Sequence, residues 1–378
     1  MRSGYIKINL TKVAILLFSL KVLLDCQNSN LLVVPAAFDN FCIVFAVGVF
    51  LIKMVSYRFT LKEFLIFAGS AIWILFTCYQ IQRYDLLISF ISIYLLKDEN
   101  LDEYISMIFK FQIGAMIVIF CALSIYHMGY ADYIYWYRLG GRIRFTGCMQ
   151  HPNILSGYVM VLIMMYSWLN FDDMTQKKYI LLTIITVVSF LLTDTRTTFI
   201  LSVLFLVLLY FAKNPRLQAW YKKYLKYMFP VLGMIIYLMM TRYTQGYAWV
   251  TKADELISGR IKLGAYAYNQ SGLTIFPRFL EYVERGVVDW TQQWGLNEFA
   301  FDNIYSNIWV EFGVIWLIFI TVLLWKFIRK TDYKCHLFIL MWIIYGLTEV
   351  QGVNCYRCFP TLLLVKAFDT KQKKEIRR

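Results

Sequence analysis

The residues of this sequence best suited to chemistry are arginines that lie in short polar stretches between long apolar ones. A guanidinium group can make two parallel hydrogen bonds to a phosphate, and it stays charged when partly desolvated. We predict that four arginines bind the phosphate groups of a phosphorylated lipid: Arg142, Arg144, Arg196 and Arg260. The alternative is that they contact lipid headgroups or pair with nearby acids such as Asp194, Glu281 and Glu284.

Two further residues are candidates for proton transfer. Asp302 stands at the start of an apolar run, where an aspartate either caps a helix or accepts a proton from a sugar hydroxyl. His151, directly before a proline, is either a base or a cap for the helix that begins there. Supporting roles are assigned to the polar neighbours of these candidates: Asn153, Asp194, Asn303 and Tyr305.

The sequence predicts a site without a metal ion or a cofactor. A divalent ion beside a diphosphate needs carboxylate ligands. Three adjacent acidic pairs lie in segments that the topology below places in the cytoplasm: Asp98-Glu99, Asp102-Glu103 and Asp172-Asp173. No phosphate-binding Gly-x-x-x-x-Gly-Lys loop is present. Arginine is therefore expected to neutralise the phosphate charge.

The elements that must position these residues are membrane helices. Of 378 residues, 60% are hydrophobic and 18% aromatic, and the mean hydropathy is +0.55. Because a membrane helix needs about 20 apolar residues, we predict an all-α polytopic membrane protein, with residues 1–378 forming a single transmembrane domain. Its spans, about twelve, are expected near 8–25, 31–52, 63–80, 85–96, 104–127, 153–170, 179–193, 198–212, 226–241, 304–325, 335–350 and 356–369.

The basic residues predict the orientation of these spans. The net charge of +14 resides mainly in clusters next to span ends. Each cluster lies an even number of crossings from the N-terminus, as the positive-inside rule requires. We therefore predict that both termini are cytoplasmic, that the first apolar segment is a retained helix and not a cleaved signal peptide, and that nucleic acid is not a partner.

Two loops on the predicted outer side are longer than connectors need to be. They cover residues 128–152 and 242–303, and the second, between the ninth and tenth spans, is long enough for a small helical cap. Within it, Pro277–Arg285 alternates apolar and charged residues, a pattern typical of an amphipathic helix at a membrane surface. Four aromatic residues of this loop would pack in its core or stack on sugar rings: Tyr266, Tyr268, Trp290 and Trp294.

At these residues the chain resembles the O-antigen polymerase and ligase superfamily of bacterial membrane enzymes. The resemblance covers residues 80 to 350 approximately, including the order of the motifs and the large late loop. The motifs are Arg144-Phe-Thr-Gly147 followed by His151-Pro-Asn153, then Thr193-Asp-Thr-Arg196, Ser258-Gly-Arg260, and Asp302-Asn303-x-Tyr305 ahead of Glu311-Phe-Gly313. The chain departs from the ligase branch, where a histidine usually occupies the position of Asp302. It also reduces a frequent Gly-x-Gly turn to Trp294-Gly295-Leu296.

The resemblance implies metal-independent glycosyl transfer at the outer face of the bacterial plasma membrane. A polymerase of this kind moves a growing glycan from undecaprenyl diphosphate onto another lipid-linked repeat unit. Arg144, Arg196 and Arg260 would hold the diphosphate, and Asp302 or His151 would take the proton of the acceptor hydroxyl. The expected partners are the undecaprenyl-diphosphate-linked oligosaccharide, membrane lipids, a chain-length regulator and a flippase.

Two alternatives remain open. A ligase would transfer the finished glycan to another acceptor, and it differs from a polymerase in that acceptor alone. A transporter or flippase of an anionic lipid-linked solute would carry its charges near the middle of the membrane, on broken helices and often in two related halves. The candidate residues here lie at the ends of spans and in the outer loops, and no internal repeat is apparent.

Overall fold

The computed structural model describes residues 9–126, 134–137, 142–257, 259–280 and 301–369. Their regular secondary structure is helical apart from a two-stranded hairpin, β1 (Tyr135–Tyr137) and β2 (Ile143–Phe145). The helices are α1 (Leu10–Asp25), α2 (Ala36–Ser56), α3 (Leu61–Ile81), α4 (Asp85–Leu95), α5 (Leu101–Tyr126), α6 (Pro152–Leu169), α7 (Gln176–Thr193), α8 (Arg196–Tyr210), α9 (Pro215–Thr244), α10 (Ala248–Leu256), α11 (Arg260–Ser271), α12 (Ile304–Asn307), α13 (Val314–Lys330) and α14 (Tyr333–Tyr345). A π-helical turn follows α12 at Ile308–Phe312, and 3₁₀ segments occupy Val350–Val353 and Phe359–Ala367.

Six of the described helices are long and apolar enough to cross a membrane: α2, α3, α5, α6, α7 and α9. The 21 residues of α3, for example, extend about 32 Å at 1.5 Å per residue, which matches the hydrocarbon thickness of a bilayer. The chain is therefore a helical membrane protein, as predicted. The total of about twelve spans and their orientation stay predictions.

The chain divides into two compact units. The described part of the first contains residues 9–60 and 91–203, and the second contains residues 61–90 and 204–369. In the first unit α1 packs against α2 and α5, while α6 packs against α5 and α7. Lys21 of α1 is buried, and its ammonium group lies 2.9 Å from Asp25 and 3.1 Å from Asp39 of α2. Pairing of this kind is what makes a lysine tolerable inside a helical membrane bundle.

The second unit is built around α9, which packs against α11, α13 and α14. Phe229 of α9 stacks on Trp342 of α14, with ring centroids 5.4 Å apart, and also contacts Tyr305 of α12 at 5.0 Å. Gly264 of α11 lies so close to α12 that a Cβ atom there would stand 2.7 Å from the Cβ of Ser306. These contacts fix α11 and α12, which carry the second group of candidate residues.

The predicted tenth span is broken. It was expected as one helix over 304–325, but the helix axis is interrupted at Gly313, whose φ of 92° and ψ of 158° are open to glycine alone. The carbonyls of Trp309 and Glu311 accept hydrogen bonds from the backbone of Thr274 and Arg278 instead of from their own helix. An apolar run does not reveal such a break, because isolated glycines are also common inside membrane helices.

Two further predictions differ from the structure. The amphipathic helix expected over Pro277–Arg285 is wrong for its described part, since residues 277–280 are non-helical and Arg278 bonds inward; residues 281–285 lie outside the described part of the chain. The twelfth span is a 3₁₀ segment, Phe359–Ala367, of nine residues. At about 2 Å per residue it extends only about 18 Å, less than a bilayer core.

Replacement of Gly313 by alanine should destabilise the protein strongly, because the new Cβ would lie 2.3 Å from the carbonyl oxygen of Ile275. Gly246 is the matched control: its φ is 76°, but a Cβ there meets nothing within 4 Å. Gly246→Ala should therefore cost only the left-handed backbone energy, about 1–2 kcal/mol. Thermal unfolding of the detergent-solubilised variants measures the difference, and equal losses would contradict the steric account.

Candidate functional site

The first group of candidate residues is positioned by the β1–β2 hairpin and the start of α6. Arg144 pairs with Trp136 across the hairpin, so that its side chain is held at the centre of β2. The turn after β2 contains Gly147 with φ of 59° and Cys148 with φ of 69°, which reverses the chain into α6. We call Arg142, Arg144, His151, Asn153 and Asp194 the hairpin cluster.

Arg144 is buried and ties three elements together. Its Nε donates to the carbonyl of Thr193, 2.6 Å away, at the end of α7. Its Nη2 donates to Asn153 Oδ1 at 2.9 Å and to Thr195 Oγ1 at 2.8 Å. These three acceptors are neutral oxygens, and the bonds to them orient the guanidinium. The predicted supporting role of Asn153 corresponds to a direct contact with this group.

Arg142 and Arg196 are accessible, in contrast to Arg144. The Arg142 side chain is 68% exposed and lies 3.8 Å from Asp194. Asp194 ends α7 in a left-handed conformation with φ of 45°, which produces the tight turn expected between the seventh and eighth spans. Arg196 is the first residue of α8 and is exposed. Of the predicted phosphate ligands in this unit, these two present their charge outward.

His151 is the N-cap of α6. Its Nδ1 accepts a hydrogen bond from the backbone N–H of Asn153 at 3.1 Å, and Trp136 meets its ring edge-on with centroids 4.8 Å apart. Burial, and secondarily the charge of Arg144, lowers the pKa of His151 to about 4. A base of that strength holds few protons at neutral pH and is poorly matched to proton abstraction. The geometry favours the cap over the catalytic base.

Arg260 lies in the second unit, at the first residue of α11. It is only 4% exposed. Its Nε donates to the carbonyl of Thr348 at 2.6 Å, Nη1 donates to the carbonyl of Ile257 at 3.1 Å, and Nη2 lies 3.3 Å from Glu349 Oε1. The motif around it is described only in part, because Ser258 lies outside the described residues. We call Arg260, Asp302 and Glu349 the Arg260 cluster.

Asp302 does not cap the helix that follows it. The cap is Asn303, whose Oδ1 accepts from the backbone N–H of Ser306 at 2.6 Å and from its hydroxyl at 2.8 Å. The Asp302 carboxyl group is therefore not used as a helix cap. Burial raises its pKa, and the charge of Arg260 opposes that rise. The Nδ2 group of Asn303 is fully buried and makes no hydrogen bond among the described residues.

Glu349 is the residue that sequence reasoning missed. It lies four residues beyond the end of α14, is 8% exposed, and pairs with Arg260, whose charge also acts on Asp302. Burial raises the pKa of Glu349 to about 8, against the opposing charge of Arg260, and Asp302 adds to the rise. A carboxyl group whose pKa lies near neutrality is typical of acid–base sites. The available signal was a lone glutamate at the end of an apolar run.

The remaining candidates have structural roles. Tyr305 is fully buried, and its hydroxyl donates to the carbonyl of Ile343 at 2.8 Å. Tyr266 is 1% exposed and belongs to the core, while Tyr268 meets Tyr237 edge-on at 6.1 Å. Trp290 and Trp294 lie outside the described residues. Another buried acid, Glu311 of the motif Glu311-Phe-Gly313, pairs with Arg83; neither residue was predicted to belong to the site.

The structure thus brings the predicted residues together in two groups, one in each unit. Arg142, Arg144 and Asp194 are neighbours, as are Arg260 and Asp302. That Arg144, Arg196 and Arg260 share one pocket stays a prediction. Among the described residues, no group of three or more His, Cys, Asp or Glu side chains is arranged to hold a metal ion.

Comparisons with models of protein families, with curated proteins and with solved structures found no match for this chain.

Replacement of His151 tests the cap directly. His151→Ala should lower the free energy of unfolding by about 1 kcal/mol, whereas His151→Asn, which can also accept from the N–H of Asn153, should restore most of it. Asn214→Ala, which removes the equivalent cap of α9, is the control and should cost a similar amount. Equal stability of His151→Ala and His151→Asn in thermal unfolding would contradict the assignment.

Glu349 should make stability depend on pH. Because its pKa is raised from 4.5 in the unfolded chain to about 8, the folded protein retains a proton that the unfolded chain releases. The stability from this group is fully present below about pH 4.5 and is lost as the pH rises through about 8. Between these values the unfolding midpoint should fall less in Glu349→Gln than in the wild type.

Glu255→Gln, at an exposed position of α10, is the matched control and should retain the wild-type slope. A Glu349→Gln protein with an unchanged slope would mean that Glu349 is ionised throughout this range.

Proposed function

We propose that the protein is a glycosyltransferase that polymerises undecaprenyl-diphosphate-linked oligosaccharide units into surface polysaccharide at the outer face of the bacterial plasma membrane. The observation that carries the proposal is the Arg260 cluster, in which a buried guanidinium lies 3.3 Å from Glu349 and lowers the raised pKa values of both Glu349 and Asp302. The proposal includes the predicted topology, with both termini in the cytoplasm.

The chemistry assigned to this cluster needs a base and a fixed positive charge. In the transfer step the acceptor hydroxyl oxygen bonds to the anomeric carbon of the donor sugar, and the bond from that carbon to the diphosphate oxygen breaks. Asp302 takes the hydroxyl proton, and the lipid diphosphate leaves with the bonding electron pair. Arg260 stabilises the charge that develops on the diphosphate, in a buried setting where such stabilisation is strongest.

The protonation of Glu349 supports this role for Arg260. At neutral pH, below the pKa of about 8, Glu349 is mostly neutral and therefore offsets little of the positive charge of Arg260. The buried Nδ2 of Asn303, next in sequence to Asp302, offers a hydrogen-bond donor without an acceptor. Buried donors in native proteins are nearly always satisfied, which favours a bound ligand or water at this place.

The hairpin cluster is assigned to binding a lipid-linked phosphate. Arg142 and Arg196 present exposed guanidinium groups, and Arg144 holds the elements that carry them. Directly after Arg144, Phe145 and Gly147 line a cavity of about 230 Å³ in the same unit, whose other walls are Gln27, Met116, Ile117, Phe120, Met149 and Leu155. An apolar cavity in the same unit as these arginines suits an isoprenoid phosphate, which is apolar at one end and anionic at the other.

One observation favours a second candidate function. The break at Gly313, with the buried acid Glu311 on the π-helical turn before it, is the kind of interrupted helix that many transporters use to hold their solutes. Transport of an anionic lipid-linked solute is therefore the alternative. Turnover of lipid-linked repeat units by the purified protein in detergent, where no sealed compartment exists, separates an enzyme from a transporter.

The proposed function predicts which variants lose polymer. In cells that depend on the variant, Asp302→Asn and Arg196→Ala should each abolish long glycan chains and cause single lipid-linked repeats to accumulate. The matched controls are Asp173→Asn and Arg242→Ala, both at exposed positions outside the two clusters, and they should leave chain length unchanged. Gel analysis of the glycan, with protein amounts verified by immunoblot, provides the measurement.

Wild-type chain length in both Asp302→Asn and Arg196→Ala would overturn the assignment of roles. Retention of full-length polymer that is no longer attached to its final acceptor would identify a ligase instead.

A further inference from the structure

The segment that forms hydrogen bonds across the break at Gly313 has an apolar surface of its own. We call Gly272–Leu280, between the end of α11 and residue 281, the strap. Four of its side chains are exposed large hydrophobics: Leu273 (41%), Ile275 (62%), Phe276 (53%) and Phe279 (41%). Its sequence position falls within the loop that was predicted to lie outside the membrane. A water-facing loop would not normally present so dense a run of apolar side chains.

The polar groups of the strap backbone are used by the broken helix. Val314 and Ile315 donate their N–H groups to the carbonyls of Thr274 (3.0 Å) and Ile275 (3.3 Å). In return Thr274 and Arg278 donate theirs to the carbonyls of Trp309 (3.1 Å) and Glu311 (3.0 Å). The exchange leaves apolar side chains as the outward surface of the strap.

The one charged residue of the strap is also turned inward. Arg278 donates from Nε to the carbonyl of Val310 at 2.8 Å, from Nη1 to that of Ser271 at 2.7 Å, and from Nη2 to that of Gly272 at 2.6 Å. Non-helical backbone is tolerated at membrane depth only where the protein satisfies its hydrogen bonds. The bonds of the strap satisfy the N–H groups of three residues and the carbonyls of four: the N–H groups of Gly272, Thr274 and Arg278, and the carbonyls of Gly272, Thr274, Ile275 and Phe276.

The strap contacts α3 at a point within that helix and not at its end. The ring of Phe276 lies 6.4 Å from that of Trp73. Trp73 is eight residues before Ile81, the last residue of α3, so that it stands about 12 Å along the axis from that end. Since α3 is about as long as a bilayer core is thick, this level lies inside the hydrocarbon region.

The apolar surface of the strap also continues that of its neighbours. Trp73 itself contacts Trp316 of α13 at 6.2 Å, and exposed apolar residues flank these contacts at Ile72 on α3 (69%) and Ile318 on α13 (56%). Helix faces of this composition contact acyl chains in a membrane protein. We propose that the strap is a re-entrant segment inserted into one leaflet, with Leu273, Ile275, Phe276 and Phe279 in contact with lipid acyl chains.

Collision accessibility of a nitroxide label tests the proposal in the full-length protein, reconstituted into vesicles of phosphatidylethanolamine and phosphatidylglycerol. The label is attached to Ile275→Cys or Phe276→Cys after removal of Cys121, the exposed native cysteine; the other seven cysteines are buried. Molecular oxygen concentrates in the hydrocarbon, whereas a nickel chelate stays in water. Ile72→Cys is the lipid-facing reference, and Lys252→Cys, at an exposed position of α10, is the water-facing one.

Labels at 275 and 276 are expected to show the high oxygen-to-nickel ratio of position 72. A ratio like that of position 252 would overturn the proposal in favour of a water-facing loop. Low collision rates with both reagents would also overturn it, because they would mean that protein covers the strap. Leu273→Cys and Phe279→Cys repeat the measurement at sites away from Trp73, so misfolding of the Phe276 variant leaves the test intact. The outcome does not depend on the proposed reaction.

Discussion

The second unit depends on satisfying the backbone groups that are released where the helical run over residues 304–330 breaks. At Gly313 the helical pattern of hydrogen bonds stops, and buried backbone groups left without a partner there would cost free energy. The strap supplies both donors and acceptors across the gap, and Arg278 adds its guanidinium. α12, on the other side of the break from α13, packs against α9 and directly follows Asp302 and Asn303. The candidate site of this unit therefore depends on the hydrogen bonds that close the break at Gly313.

Two buried arginines, Arg144 and Arg260, differ in the groups that surround their charge. Arg144 donates to neutral oxygens of Thr193, Asn153 and Thr195, so its charge orients the local fold and suppresses protonation of His151. Arg260 instead lies beside the carboxyl group of Glu349, and its charge opposes the rise in pKa that burial causes in Glu349 and Asp302. A fixed cation beside a carboxyl group whose pKa is raised to about 8 is typical of acid–base sites, and this distinguishes the Arg260 cluster from the hairpin cluster.

Much of the architecture could be predicted because it follows from composition and local pattern. The apolar stretches predicted both ends of α2 and α3, and the C-terminal end of α9, to within a few residues. The start of α9 lies eleven residues before the expected one. His151 and Pro152 predicted the start of α6, and Thr193 to Arg196 predicted the turn between α7 and α8. The break at Gly313 could not be predicted, since it requires a partner strand of backbone that is about forty residues away in sequence.

What the sequence by itself determined is that this chain must lie in a membrane as helices, and which polar residues stand at their ends. The length of an apolar segment and the residue that caps a helix are local properties, so each can be predicted from its own part of the sequence. Only the tertiary structure decided which of those polar residues act together. Asp302, Arg260 and Glu349 come from three distant segments of the sequence. The pairing of Arg260 with Glu349, and the raised pKa values of Glu349 and Asp302, arise from burial and mutual charge, which exist only when the helices are packed.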